Sequence, residues 1–214
     1  MITADARSRI TAHDLALVSR SLGGSGHESE QDLIRLGLDL VLDRPELRGY
    51  LLDGSLPGPS ASLFFYVLCR HSLLEEGLED RAMADYCAAL LREFGDHRRA
   101  NRVAAVDDAE HHYLVDILAD LEQSRGPRRF AVSVHLGNYA LWVSGIFADR
   151  IRARRARKGG PGIDYYEALG QRGFADASEH DLAERTGLDG LYHETASRFS
   201  AVRRALNRVR AVLH

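Results

Sequence analysis

The feature that most constrains this chain is an apolar run of 19 residues, Phe130 to Ala148, bracketed by arginines. Arg128 and Arg129 precede it; Arg150, Arg152, Arg154, Arg155, Arg157 and Lys158 follow it. A run this apolar reads as a helix buried nearly all round, so the polar groups inside it, Ser133, His135, Asn138 and Ser144, need partners. Its length and basic flanks would suit a membrane span. Two serines, His135, Asn138, Gly137 and Gly145 dilute it, however, and polar groups in lipid are costly. The expectation is a buried central helix and no membrane span.

The remaining sequence reads as helices around this one. Thr11 and Asp14 have the spacing of a capping box, and a second helix is expected from Ser29. Further helices are expected over 62–76, 79–94, 107–124, 175–185 and 188–212, with a short one restarting at Asp164-Tyr-Tyr-Glu167. The last spaces Leu188, Tyr192, Thr195, Phe199, Val202, Leu206, Val209 and Leu213 by threes and fours. That is a packing seam, either inside the fold or across a homodimer. The expected fold is all-α: an irregular multi-helix bundle of about eight to ten helices around a buried apolar central helix at 128–157. Residues 1–214 would form a single helical domain, with a C-terminal helical subdomain over 163–214 after the Gly/Pro hinge at 159–162.

Charge and cysteine content narrow the setting. Of 28 basic residues all but Lys158 are arginine, a usage that suggests a GC-rich bacterial genome. Residues 1–120 carry 12 basic against 21 acidic side chains, and residues 121–214 carry 16 against 10, within a net charge of −3. Attraction between the halves, or a basic face for an anionic partner, would account for this. Cys69 and Cys87 fall on neighbouring expected helices and form no C-x-x-C pair, which excludes a cysteine-based zinc site and points to reduced thiols. The N-terminus has no apolar leader segment, so a cytoplasmic location is expected.

Four groups of residues carry candidate chemistry. On a helix starting at Asp107, stepping by 100° places Asp107, Glu110 and His111 with the apolar face of Leu114, Ile117, Leu118 and Leu121, whereas His112, Asp116 and Asp120 face water. Two inward carboxylates and an imidazole suit a divalent metal or general acid–base work, although acids in a first turn also serve as caps. His135, Asn138, Tyr139 and Trp142 share one helical stripe, which reads as the wall of a ligand pocket or as a buried polar network. Arg70 and His71 end the most apolar stretch of their helix. They would bind a ligand or pair with an acid, Arg70 meeting Glu110 or Asp107 across helices. The basic stretch 150–158 has the charge to contact phosphates. It carries no interleaved aromatic platform, which favours a solvated helix end over nucleic acid.

Nothing in the sequence indicates a cofactor. There is no P-loop, Rossmann fingerprint, nucleophile elbow, HExxH or EF-hand pattern, and Gly23-Gly24-Ser25-Gly26 lacks the flanking strand and lysine of a phosphate loop. The leading expectation is a non-enzymatic module that binds a small molecule or a protein partner. The alternatives are a metal-dependent or cofactor-assisted helical-bundle enzyme, and an anion binder for nucleic acid or an acidic membrane through residues 150–158.

Overall fold

The computed structural model describes residues 2–21, 37–53, 58–104 and 106–213. Among these it contains thirteen α-helices, one 3-10 turn (Arg7–Arg9) and no strand, which is the all-α bundle the periodicity implies. The helix number exceeds the expected eight to ten because several elements are only one or two turns long. Contacts divide the chain into two compact units, Thr3–Arg92 and the chain from Glu93 onward together with Ile2.

The first unit holds α1 (Ala12–Ser21), α2 (Leu38–Leu42), α3 (Pro45–Leu52), α4 (Ala61–Glu75) and most of α5 (Arg81–Phe94). The capping box before α1 is present: Asp14 accepts from the Thr11 amide and hydroxyl, each at 2.8 Å, and its own amide donates to the Thr11 hydroxyl. Asp14 is fully buried and also accepts from the Ser60 amide at 2.8 Å. Burial alone would raise its pKa; these hydrogen bonds prevail and hold it below the usual carboxylate value. The helix expected from Ser29 and the Gly23–Gly26 break lie outside the described residues, apart from the α2 turn.

Arg70 finds its partner inside this unit, not at Glu110 or Asp107. Its Nε donates to Asp43 at 2.8 Å and its Nη1 to the Glu79 carbonyl at 2.6 Å, while Arg81 grips the same carboxylate at 2.7 Å. Cys69 and Cys87 are fully buried thiols, and burial pushes Cys87 up to about 12 and Cys69 well above its ordinary value.

The second unit is built around the apolar run. Its elements are α6 (His97–Ala100), α7 (Leu114–Gln123), α8 (Gly126–Ile146), α9 (Ala148–Lys158), α10 (Ile163–Ser178), α11 (Asp181–Thr186), α12 (Asp189–Ser197) and α13 (Phe199–Val212). Helices α7, α10 and α13 pack directly on α8, and α12 packs on α10. The turn at 159–162 therefore ends α9 without setting a unit apart, since the helices after it close over the same core. Glycines set how near α10 comes. A Cβ on Gly173 would lie 2.7 Å from the Gly137 nitrogen and 2.8 Å from the Ser133 carbonyl oxygen, so the two helices touch backbone to backbone.

The central helix expected over 128–157 is two helices. At Phe147 the backbone leaves the helical region (φ −115°, ψ 28°), and α9 leaves at 84° to α8. The bend lets the apolar run stay among its neighbours while the arginines that follow reach water. Phe147 fixes the corner: its ring meets Trp142 edge-on at 5.0 Å, and the Arg150 guanidinium lies 5.0 Å over it. Asn207 of α13 donates to the Gly145 carbonyl at 3.2 Å, occupying an acceptor that the bend frees. Among the described residues no single helix is long and apolar enough to cross a membrane, although α8 and α9 taken together as a bent pair reach that length and composition. The seam of the last expected helix breaks at Arg198 into α12 and α13, and its members Tyr192, Phe199, Val202, Leu206 and Val209 are buried within the single chain.

Candidate functional site

Burying α8 on all sides forces each of its polar side chains to be accounted for. Ser144 donates to the Ala140 carbonyl at 2.6 Å, and Asn138 is also engaged. His135 is 3% exposed, yet its Nε2 atom is buried without a hydrogen-bond partner among the described residues. Burial, and after it the positive charge of Arg99, pushes its pKa down to about 3 against the opposing Asp107. The ring is therefore neutral at physiological pH. It lines a partly enclosed cavity of about 50 Å³, where Ile2, Val103 and Val134 supply apolar wall and Arg99 and Asn138 supply polar groups. The i, i+3 spacing of the stripe brings His135 and Asn138 to this cavity. Tyr139 and Trp142 do not line it: the Tyr139 hydroxyl donates to the His112 carbonyl at 2.9 Å, and Trp142 packs against Phe94, Tyr139 and Phe147.

The metal-site candidates fall elsewhere. Helix α7 begins at Leu114, not at Asp107, because Asp116 caps it by accepting from the Tyr113 amide at 3.1 Å. Asp107, Glu110 and His111 consequently sit on the irregular segment before the helix, and the helical-face geometry does not apply to them. Asp107 pairs with Arg128 at 2.6 Å, Glu110 with Arg102 at 2.8 Å and His111 with Asp120 at 3.0 Å. Among the described residues no group of three or more His, Cys, Asp or Glu is placed to hold a metal.

Two residues that sequence reasoning left out organise this region. Asp120, expected to face water, accepts from His111, Arg128 and Ser124. Arg128 spans Asp107 and Asp120, and its bonds to them outweigh partial burial and hold both carboxyls below their usual pKa. Together they latch the segment before α7 onto α7 and α8. No hydrogen bond joins His135 to a nucleophile or a carboxylate among the described residues.

In the first unit the His71 Nε2 lies 3.2 Å from the Leu42 carbonyl oxygen, to which it donates in its Nε2–H tautomer. His71 also lines an open groove of about 620 Å³ with Asp43, Arg48 and Glu75. Arg48 pairs with Glu75 at 2.9 Å, and Asp43 is held by Arg70 and Arg81 from outside the groove.

A second depression in the unit from Glu93 onward has a different character. Tyr113, Val115, Arg154, Pro161, Tyr165 and Tyr166 line a groove of about 180 Å³. Tyr113, Val115 and Tyr165 are exposed, and the rings of Tyr165 and Tyr166 meet edge-on at 5.9 Å. Arg154 comes from α9, which holds six basic residues and one acid in eleven positions. Asp149 and Asp164 take Arg152 and Arg155; Arg150, Arg154, Arg157 and Lys158 pair with no carboxylate among the described residues. The aromatic surface missing from the basic stretch itself is thus supplied by the starts of α7 and α10. Sequence spacing gave no sign of it, because Tyr113 and Tyr165 lie far apart in the chain.

Comparison with known protein families, with curated proteins and with solved structures finds no match for this chain.

Proposed function

We propose that this chain is a non-enzymatic binding module whose working surface is the tyrosine-lined groove beside α9, and that its partner is an acidic polypeptide segment carrying one apolar anchor residue. The observation behind this reading is the exposed Tyr113, Val115 and Tyr165 set around Arg154, on a helix where four cations pair with no carboxylate among the described residues. Tyrosine and arginine are the residue types that dominate binding energy at protein interfaces. Contiguous exposed apolar surface marks such sites, and surplus charge beside it steers a partner of opposite sign. The apolar walls, Val115 and Pro161 among them, favour a side-chain anchor over a phosphate backbone.

The test is peptide selection on the intact chain, with deselection on an Arg154→Glu, Tyr165→Ala double variant. Enriched peptides should carry Asp or Glu around a Leu, Phe or Trp. In fluorescence anisotropy their affinity should fall at least tenfold on the variant and weaken with salt. Peptides that bind the variant equally well, or that show no acidic enrichment, would remove this reading. A twelve-residue oligothymidylate that binds more tightly, with a log–log salt slope of about one unit per phosphate neutralised, would replace it with nucleic-acid binding.

A further inference from the structure

We infer that the cavity faced by His135 is a binding site for a small monovalent anion of about three or four heavy atoms, a one- or two-carbon carboxylate or an oxyanion of similar size. This site is separate from the groove beside α9 and does not depend on it. Its first support is His135, which lines the cavity and whose buried Nε2 has no hydrogen-bond partner among the described residues. A buried donor left without an acceptor is costly, and such atoms in folded chains usually mark a missing partner.

The second support is size. At about 50 Å³ the cavity exceeds what one water needs, yet it falls far below the space that a drug-sized ligand or cofactor requires. The third is the nature of the walls. Ile2, Val103 and Val134 offer no side-chain oxygen, which disfavours a hard cation. Arg99 supplies positive charge at the rim, and Asn138 supplies a further polar side chain. Arg99 is held in place by Glu93 at 3.3 Å and by the Arg102 carbonyl at 2.7 Å, so its guanidinium is fixed before any ligand arrives. In its Nε2–H tautomer, neutral His135 would donate to the anion without first taking up a proton.

The experiment follows the imidazole nitrogens of the full chain by long-range proton–nitrogen NMR during titration with sodium formate, acetate and nitrate, with sodium sulfate at matched ionic strength as the oversized comparator. The expected result is a saturable shift at His135 and not at His71 for at least one small anion. A dissociation constant of roughly 0.1–10 mM is expected, near the ceiling for so few atoms. Ala131→Leu, which fills the cavity without altering His135, should abolish the shift. Arg99→Gln, at the rim, should raise the dissociation constant about tenfold and keeps the test open if the leucine variant does not fold. No saturable shift with any of the three anions, an equal response to sulfate, or an unchanged response in both variants would overturn the inference and leave the cavity a solvent-filled void.

Discussion

Keeping His135 neutral ties the stability of the chain to pH. Its ordinary pKa of 6.5 falls to about 3 in the fold. Below pH 6.5 the unfolded chain takes up a proton that the folded chain refuses, so this residue's contribution is full above 6.5 and drains away down to about pH 3. At pH 5 the loss is about 2 kcal/mol. Urea unfolding of His135→Gln should therefore show a pH 7 to pH 5 drop smaller than that of the parent by about this amount; equal drops would refute it. Buried His71 is shifted in the same direction and adds to the decline in both proteins. Asp14, Asp43, Asp107 and Asp120 have lowered pKa values, so their stabilisation persists above the usual carboxylate range and is lost only as pH falls through their depressed values. The acid decline should begin with the histidines below pH 6.5 and steepen once the carboxylates also protonate. Of this chemistry, His135 and Asn138 were legible from an i, i+3 stripe on one helix. Arg99, Val103 and Ile2 were not, because no local pattern ties them to a residue so distant in sequence.

Among elements, the contact between α8 and α10 makes the sharpest prediction. Gly173→Ala pushes a methyl group into the Gly137 nitrogen and the Ser133 carbonyl, both backbone atoms that cannot swing aside. It should cost about 1–3 kcal/mol or more in denaturant unfolding. Gly49→Ala in α3, where a Cβ meets nothing within 4 Å among the described residues, should instead gain about 0.5–1 kcal/mol, as an alanine in a helix interior does. Opposite signs are the expectation, and the same sign would refute the close-packing account. The segment before α7 gives a second test. Arg128 is more than a third exposed on its side chain, so losing its pairs should move global stability by no more than about 1 kcal/mol. Arg128→Gln should nevertheless speed tryptic cleavage at Arg102 about tenfold, since local opening is governed by local contacts. Gly137 and Gly145 looked like dilution of an apolar run when only the sequence was in view. In the fold they are points of close approach, to Phe174 and to Leu206. The bend at Phe147 carried no proline or glycine pair to announce it, and the start at Leu114 rested on Asp116, whose capping role competes with the first-turn acids upstream.

For the whole molecule, the helical class followed from periodicity and glycine punctuation, whereas the division at Arg92 and Glu93 falls inside the continuous helix α5 and leaves no mark in composition. Each unit carries its own reporter: Cys69 and Cys87 in one, the single tryptophan Trp142 in the other. Thiols this buried and this basic should react with a disulfide reagent at least about a thousandfold more slowly in the native chain than in urea, and comparable rates would contradict the buried placement. The order of the elements around α8 bears on how the chain is made. Two of the helices that pack on it, α10 and α13, come later in the chain. During vectorial synthesis the greasiest segment therefore leaves the ribosome with much of its cover not yet translated. It must wait, exposed to chaperones and to its own kind, until the arginine-rich α13 arrives to close over it.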